Sequence, residues 1–166
     1  MIIMAQKITM QYRRKREGRT DYKKRLVLLK SGLPRLVIRA SNKSVQAQLV
    51  QYDADGDRVL ATARATELAK HGWKTATGNI PAAYLTGVLL ASKLKKHKVE
   101  DVIVDIGLQK HHKGGRLYAV AKGAIDGGLN VRVGEDVLPS DDRVTGSHID
   151  EQLAKSTESV KKAIMK

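Results

Sequence analysis

Tyr12-Arg-Arg-Lys-Arg16 sets an aromatic ring against four consecutive cations, and no other stretch of the chain is so well equipped to meet phosphate. Guanidinium groups offer planar paired donors that match phosphate oxygens and can lie flat on bases. Tyr12 joins no apolar stripe, so stacking on an unpaired base suits it. Arg13, Arg14, Lys15 and Arg16 are accordingly candidate contacts to nucleic acid, with Arg19, Thr20, Tyr22, Lys23, Arg25 and Lys30 continuing the surface. Tyr22 is the doubtful member, because its spacing to Leu26 favours the core. The block belongs to a wider imbalance. From Met1 to Lys43 there are thirteen Lys/Arg against two acids, which accounts for eleven of the fourteen net positive charges on the chain. Like charges crowded at one end oppose compaction unless a polyanion neutralises them. A solvated tail or a localisation signal is the bland alternative, and nucleic acid is the favoured reading.

A second candidate is Gln109-Lys-His-His-Lys-Gly-Gly-Arg116, between a strand and a helix start. Glycine loops there can hold phosphate on free amides. The sequence lacks the Gly-Lys-Ser/Thr ending of a nucleotide-binding loop, so contact between Lys110, His111, His112, Lys113 or Arg116 and a nucleic-acid backbone is preferred to a bound nucleotide. An ordinary solvated loop competes with it. Adjacent histidines point apart and no other ligand sits at suitable spacing, so no metal site is expected. Asp53-Ala-Asp-Gly-Asp57 has its glycine fourth and an arginine twelfth, which fits a hairpin turn and not a calcium loop. Asp105, inside an apolar strand, is the one residue that hints at catalysis. Metal-dependent nucleases need several converging acids, and only Asp101 and Glu67 can be added. A structural aspartate is the better reading.

These side chains need a scaffold, and 166 residues of which 42% are apolar can supply one. There is no Phe and there are only six aromatics, so the core rests on Val, Leu, Ile and Ala. The absence of Cys excludes disulfides, thiolate zinc sites and cysteine catalysis. Met1-Ile-Ile-Met-Ala5 is too short for a signal-peptide core, and no run is long enough to span a bilayer, so an intracellular protein without a membrane partner is expected.

Residues 1 to 19 read as an extended arm. Thr20 or Asp21 can cap a helix with Tyr22, Leu26, Leu29 and Leu33 as its apolar stripe, ended by Gly32 and Pro34. The period then changes to two in residues 36–40, 45–49 and 59–63, separated by turns at Ser41-Asn-Lys-Ser44 and at Asp53 to Asp57, an antiparallel meander. One or two helical turns at Thr66 to His71 close at Gly72. Asn79 caps a longer helix with Pro81 in its first turn and a stripe of Ile80, Tyr84, Val88, Ala91 and Leu94. Val102 to Ile106 does not alternate, as expected of a covered strand running parallel to an earlier one. A helix from Leu117 to Asp126 and a short strand at Val131 to Val133 follow, then a weak helix or disorder from Ser147.

The expected fold is α/β: one compact domain with a mixed, mostly antiparallel sheet, three meander strands plus a parallel strand, covered by helices and carrying a basic N-terminal arm and helix. Its divisions are a basic arm and short helix at 1–33, the globular domain at 34–146, and a C-terminal helix or disordered tail at 147–166.

Longer blocks carry a resemblance. Pro34-Arg-Leu-Val-Ile-Arg-Ala-Ser-Asn-Lys43 with Ala47-Gln-Leu-Val50 resembles the first hairpin of the large-subunit ribosomal protein L-eighteen family. Arg13 to Arg16, Arg19-Thr-Asp-Tyr22 and Leu28-Leu-Lys-Ser-Gly32 are similar to its archaeal and eukaryotic branch. Gly72-Trp73, Thr77-Gly-Asn79, Ala83 to Gly87, Asp105 to Leu108 and Gly123 to Leu129 extend the likeness over roughly residues 12 to 150. The region after Asp150 is shorter than in the archaeal members and ends basic, in residues 161–166, and Met4 is an alternative start. The resemblance implies a cytoplasmic ribosomal protein of the central protuberance that binds 5S ribosomal RNA and anchors it to large-subunit RNA beside neighbouring large-subunit proteins. It implies a compact α/β domain with a mobile basic arm, no cofactor, no small-molecule substrate and no enzyme activity. Its RNA-facing parts map to Tyr12 through Tyr22, to Arg39 with Ser41, Asn42 and Lys43, and to Lys110 through Arg116. An acid-dependent nuclease and a basic protein-interaction module are the two competing classes.

Overall fold

Local chemistry sets the first elements. In the computed structural model, residues 9–165 except 96, 98 and 100 are described. The opening Met1-Ile-Ile-Met4 and the final Lys166 lie outside the described residues. Arg13–Arg16 forms a single helical turn, α1, where the sequence suggests an extended arm. Glu17 makes this turn, because its carboxylate accepts from Arg13 at 2.7 Å and pairs with Arg19 at 3.1 Å, and so offsets the repulsion within the block. Asp21 caps α2, Tyr22–Lys30, by accepting from the amides of Lys23 and Lys24.

The meander follows as β1 (Arg35–Ala40), β2 (Val45–Gln51) and β3 (Arg58–Arg64). Residues Ala65–His71 make a 3-10 segment closed at Gly72. Asn79 accepts from the Ala82 amide and starts α3, Ile80–Leu94. Then come β4 (Asp101–Asp105), α4 (Arg116–Asp126), β5 (Asn130–Arg132), a 3-10 turn at Glu135–Val137, α5 (Asp141–Thr145) and α6 (Glu151–Met165). The sheet order is β3-β2-β1-β4-β5. Its β1–β2 and β2–β3 pairs are antiparallel, and β1–β4 and β4–β5 are parallel. The expected parallel strand is therefore present, and β5 adds a second parallel pair that evens the balance of the mixed sheet.

The core lies on one face of this sheet. Leu36 and Ile38 of β1 with Val45, Ala47 and Leu49 of β2 are buried there beneath α3 and α4. The sequence pattern predicts a single apolar stripe on α3, yet twelve of its fifteen residues are buried. The reason is its position, packed against β2, β3, α4 and α6 at once. Each fully buried Leu or Val contributes about 1.5–3 kcal/mol. Glycine sets how close α3 and α4 come. A Cβ on Gly87 would stand 2.1 Å from the Val120 carbonyl oxygen, and one on Gly123 would stand 2.0 Å from that of Tyr84. The backbones touch, and no larger residue fits.

The C-terminal stretch is helical. Leu153, Thr157, Val160 and Ile164 of α6 share one buried face, as spacings of four, three and four place them. Lys161 donates to the Tyr84 hydroxyl at 2.5 Å, and that hydroxyl donates to Asp126 at 2.5 Å. Burial first, and then the Asp126 carboxylate, push the Tyr84 phenol well above its ordinary range. Among the described residues no helix is long and apolar enough to cross a membrane.

Candidate nucleic-acid interface

On its other face the sheet presents Arg35, Val37 and Arg39, which alternate with the buried Leu36 and Ile38 as a period of two demands. Helix α2 lies across this face without packing into it. None of its nine residues is buried. The stripe expected to bury Tyr22, Leu26, Leu29 and Leu33 is instead half open, and Leu26 and Val27 stand exposed at 56% and 68%. A cleft of about 860 Å³ lies between α2 and the sheet, and α2 turns Lys23, Lys24, Arg25, Val27 and Leu28 to it, not this stripe. Its floor is apolar, from Val37, Val50, Val59 and Ile106, and its rim carries Arg14, Arg19, Lys23, Lys24 and His111.

The candidate residues fall into two groups. In the arm, Arg13, Arg14, Lys15, Arg16 and Arg19 are all exposed. Arg14 donates to the hydroxyl of Thr20 at 2.9 Å, so Thr20 braces the arm while Asp21 performs the capping. Tyr12 is exposed, with its ring centroid 5.4 Å from that of Tyr22 and the two planes tilted by 40°. Tyr22 is therefore half-buried beside Tyr12 and not a core residue, and it does not line the cleft. Among the described residues no acid pairs with Lys15, Arg16, Lys23 or Lys30. Lys30 sits at the far end of α2, away from the cleft lining.

The second group is the β1–β2 turn with the loop after β4. Ser41, Asn42 and Lys43 are exposed at the turn. The Gln109 side chain accepts from the Ala40 amide at 2.9 Å and donates to the Ala40 carbonyl. Arg116 donates to the carbonyls of Ser41 and Gly78, both at 3.0 Å, and Thr77 donates to that of Lys43 at 2.7 Å. Arg116 thus locks turn to loop, with only part of its guanidinium left over. His111 meets the Tyr118 hydroxyl at 2.8 Å. His112 and Lys110 line a smaller pocket of about 210 Å³ beside Arg116. Lys113 pairs with Asp136 at 2.8 Å, which holds the Asp136 carboxyl below its usual range and the Lys113 ammonium above its own. Such a solvent-exposed pair is weak, so phosphate can displace it. Arg39 spans both groups. It donates to the carbonyls of Ile38 and Asp105 and lies over Gly107, where a Cβ would come within 2.8 Å of the guanidinium.

The acids do not converge. Asp105 accepts from Arg35 and from the Gly107 amide, both at 2.8 Å, as a structural aspartate would. Asp101 binds Arg132 and Asn130 at the other end of β4, and Glu67 binds Lys93 and the Arg64 amide. Three residues outside the expected set belong to the face. Lys24 lines the cleft and is legible from its place beside Lys23. Arg35 is buried and Asp57 binds two arginines, and nothing in their local sequence announces either role.

The chain matches, over residues 6–102, the family described as ribosomal large subunit proteins 60S L5 and 50S L18. It is 50% identical over 144 residues to the large ribosomal subunit protein uL18 of Haloarcula marismortui, covering 85% of this chain and 77% of that one. The protein of the same name from Methanoregula boonei is 49% identical over 138 residues, 83% of this chain and 79% of its own. That of Methanococcus maripaludis is 43% identical over 166 residues, 98% of this chain and 86% of its own.

Proposed function

Because the chain belongs to the family of ribosomal large subunit proteins 60S L5 and 50S L18, we propose that it binds 5S ribosomal RNA and anchors it to large-subunit RNA in the central protuberance. The family makes it a structural, non-enzymatic component of the large ribosomal subunit in translation, with the cytoplasmic ribosome as its location. Neighbouring large-subunit proteins of the protuberance are its further partners.

The observation that carries the RNA reading is the joint framing of one cleft by arm cations and the β4–α4 loop, Arg14, Arg19 and Lys23 on one side and His111 and Gly107 on the other. In this reading Arg13, Arg14, Lys15, Arg16, Arg19, Lys23, Arg25 and Lys30 neutralise phosphates and release counterions. Tyr12 and Tyr22 offer ring faces to unpaired bases. The Ser41-Asn42-Lys43 turn reads RNA shape through backbone and 2′-hydroxyl contacts, with Lys110, His112 and Lys113 alongside.

Filter binding of the full chain to 5S ribosomal RNA, against a scrambled RNA of equal length, tests the proposal. Selective binding is expected. Reversing Arg13, Arg14 and Arg16 to Glu is expected to weaken it and to flatten the slope of log affinity against log salt by about 0.7–0.9 for each phosphate that is no longer neutralised. An unchanged slope would mean that the arm is not the docking element.

A further inference from the structure

Five charged side chains alternate in sign from helix α2 to the tip of β1, by way of the β2–β3 turn and the end of β4. Arg25 places Nη2 at 3.0 and 2.8 Å from the two carboxylate oxygens of Asp57. Asp57, in the β2–β3 turn, accepts from Arg35 at 2.7 Å. Arg35 reaches Asp105, at the end of β4, with its other amine at 2.8 Å. Asp105 faces Arg39 Nη2 at 3.4 Å, and its backbone carbonyl accepts from Arg39 Nη1 at 2.8 Å. The middle of this row is buried and its ends are wet. Arg35 has 3% of its side chain exposed, against 33% for Arg25 and 46% for Arg39.

We propose that Asp57 and Asp105 are positioning residues of the RNA interface, holding Arg25 and Arg39 through Arg35 so that the arm and the turn-and-loop group bind as one unit. The inference rests on the RNA-binding reading above. Stability alone is a poor explanation for the row, since buried ion pairs are often replaceable by apolar residues without loss. Arg35 also keeps a buried Nε with no partner among the described residues, a cost that packing would have removed. Helix α2 has no fully buried residue, and the Arg25–Asp57 pair links it to the β2–β3 turn. Only Nη2 of Arg25 is committed to Asp57, and its remaining donors point to no described acid. Arg39 is held flat over Gly107 with nearly half its side chain in solvent.

The proposal opposes simple electrostatics in sign. Removing an acid from a cationic face raises the local positive potential, which by itself tightens RNA binding. Loss of positioning weakens it. Filter binding of the full chain to 5S ribosomal RNA would therefore compare Asp57→Asn with Asp55→Asn, a neighbour in the same turn outside the row. Asp55→Asn is expected to bind as tightly as the wild type or tighter. Asp57→Asn is expected to bind about tenfold more weakly, the order found when one member of a charge network is removed, with recovery in Asp57→Glu. A cycle on the exposed ends, Arg25→Gln and Arg39→Gln, is expected to show non-additive losses that become additive when Asp57 is replaced. If Asp57→Asn matches Asp55→Asn, the positioning role is overturned. If Asp57→Asn does not fold, the cycle in the wild-type background decides, and additive losses overturn the role. Absence of selective binding by the wild type would instead overturn the RNA reading, and this inference with it.

Discussion

Helices α2 and α3 are both rich in aliphatic residues, yet one buries nothing and the other buries twelve residues of fifteen. Helix α3 is held from every side by the sheet, α4 and α6, so its stability is internal to the fold. Helix α2 is held by a cap and by the Arg25–Asp57 pair, with a cleft beneath it. The difference teaches that the two faces of one sheet are built for different tasks. Packing energy is concentrated on one face of the sheet, and the other face is left charged, partly open and available to a partner.

The sharpest break in that comparison is expected at the junction of α3 and α4. Replacing Gly87 with Val puts side-chain atoms where the Val120 carbonyl already stands, and overpacking of this kind costs about 1–3 kcal/mol or more. Thermal unfolding is expected to show a large loss of stability, whereas a wild-type curve would mean that the helices can separate freely. Next in size is the acid response of α2. Burial would raise the Asp57 carboxyl, but Arg25 and Arg35 outweigh it and hold it below its ordinary 3.8. A depressed carboxylate stabilises the fold above its unfolded value and loses that contribution as pH falls through the folded value. The protection of α2 amides, corrected for the intrinsic exchange rate at each pH, is therefore expected to fall as pH drops below about 3.8. In Asp57→Asn the α2 amides are expected to exchange fast at every pH, while α3 stays protected.

Smaller effects sharpen the contrast. Lys161→Met removes a donor to the Tyr84 hydroxyl and is expected to cost about 1 kcal/mol in denaturant unfolding. The raised Tyr84 phenol keeps its proton through the usual range near 10. Its contribution is complete below the unfolded value and fades as pH rises past it, so absorbance titration is expected to show Tyr84 un-ionised until the alkaline unfolding transition, with Tyr118, also raised, ionising after the others. Smallest of all, Leu26→Ser and Val27→Ser are expected to change stability by no more than about 0.5 kcal/mol, since both side chains already face water. A larger loss in urea would show that α2 packs more tightly than its exposure implies.

What is legible follows the range of the interactions. Asp21, Asn79 and Gly72 mark helix ends through contacts within three or four residues, and their neighbours in sequence reveal them. The alternation around Leu36 and Ile38 discloses β1, and the unbroken apolar run at β4 discloses a strand lying parallel to an earlier one. The arm reads wrongly as extended because a block of like charges hides the part of Glu17, which pairs forward and back at once. Tyr22 and Leu26 read wrongly as core because helical spacing shows that a face is apolar but not that anything covers it. Asp57 reads only as a turn residue, since its partners lie 32 and 22 positions away.

By itself the sequence determined the charge imbalance, the family blocks, the caps and turns, and which residues carry cationic or aromatic groups. These are properties of composition and near neighbours, and they survive in the unfolded chain. The tertiary structure alone decided which apolar face is covered, that Arg35 is buried between two carboxylates, and that arm cations and the β4–α4 loop frame one cleft. Those depend on pairs tens of residues apart, whose meeting is fixed by sheet order and by how closely α3 can approach α4.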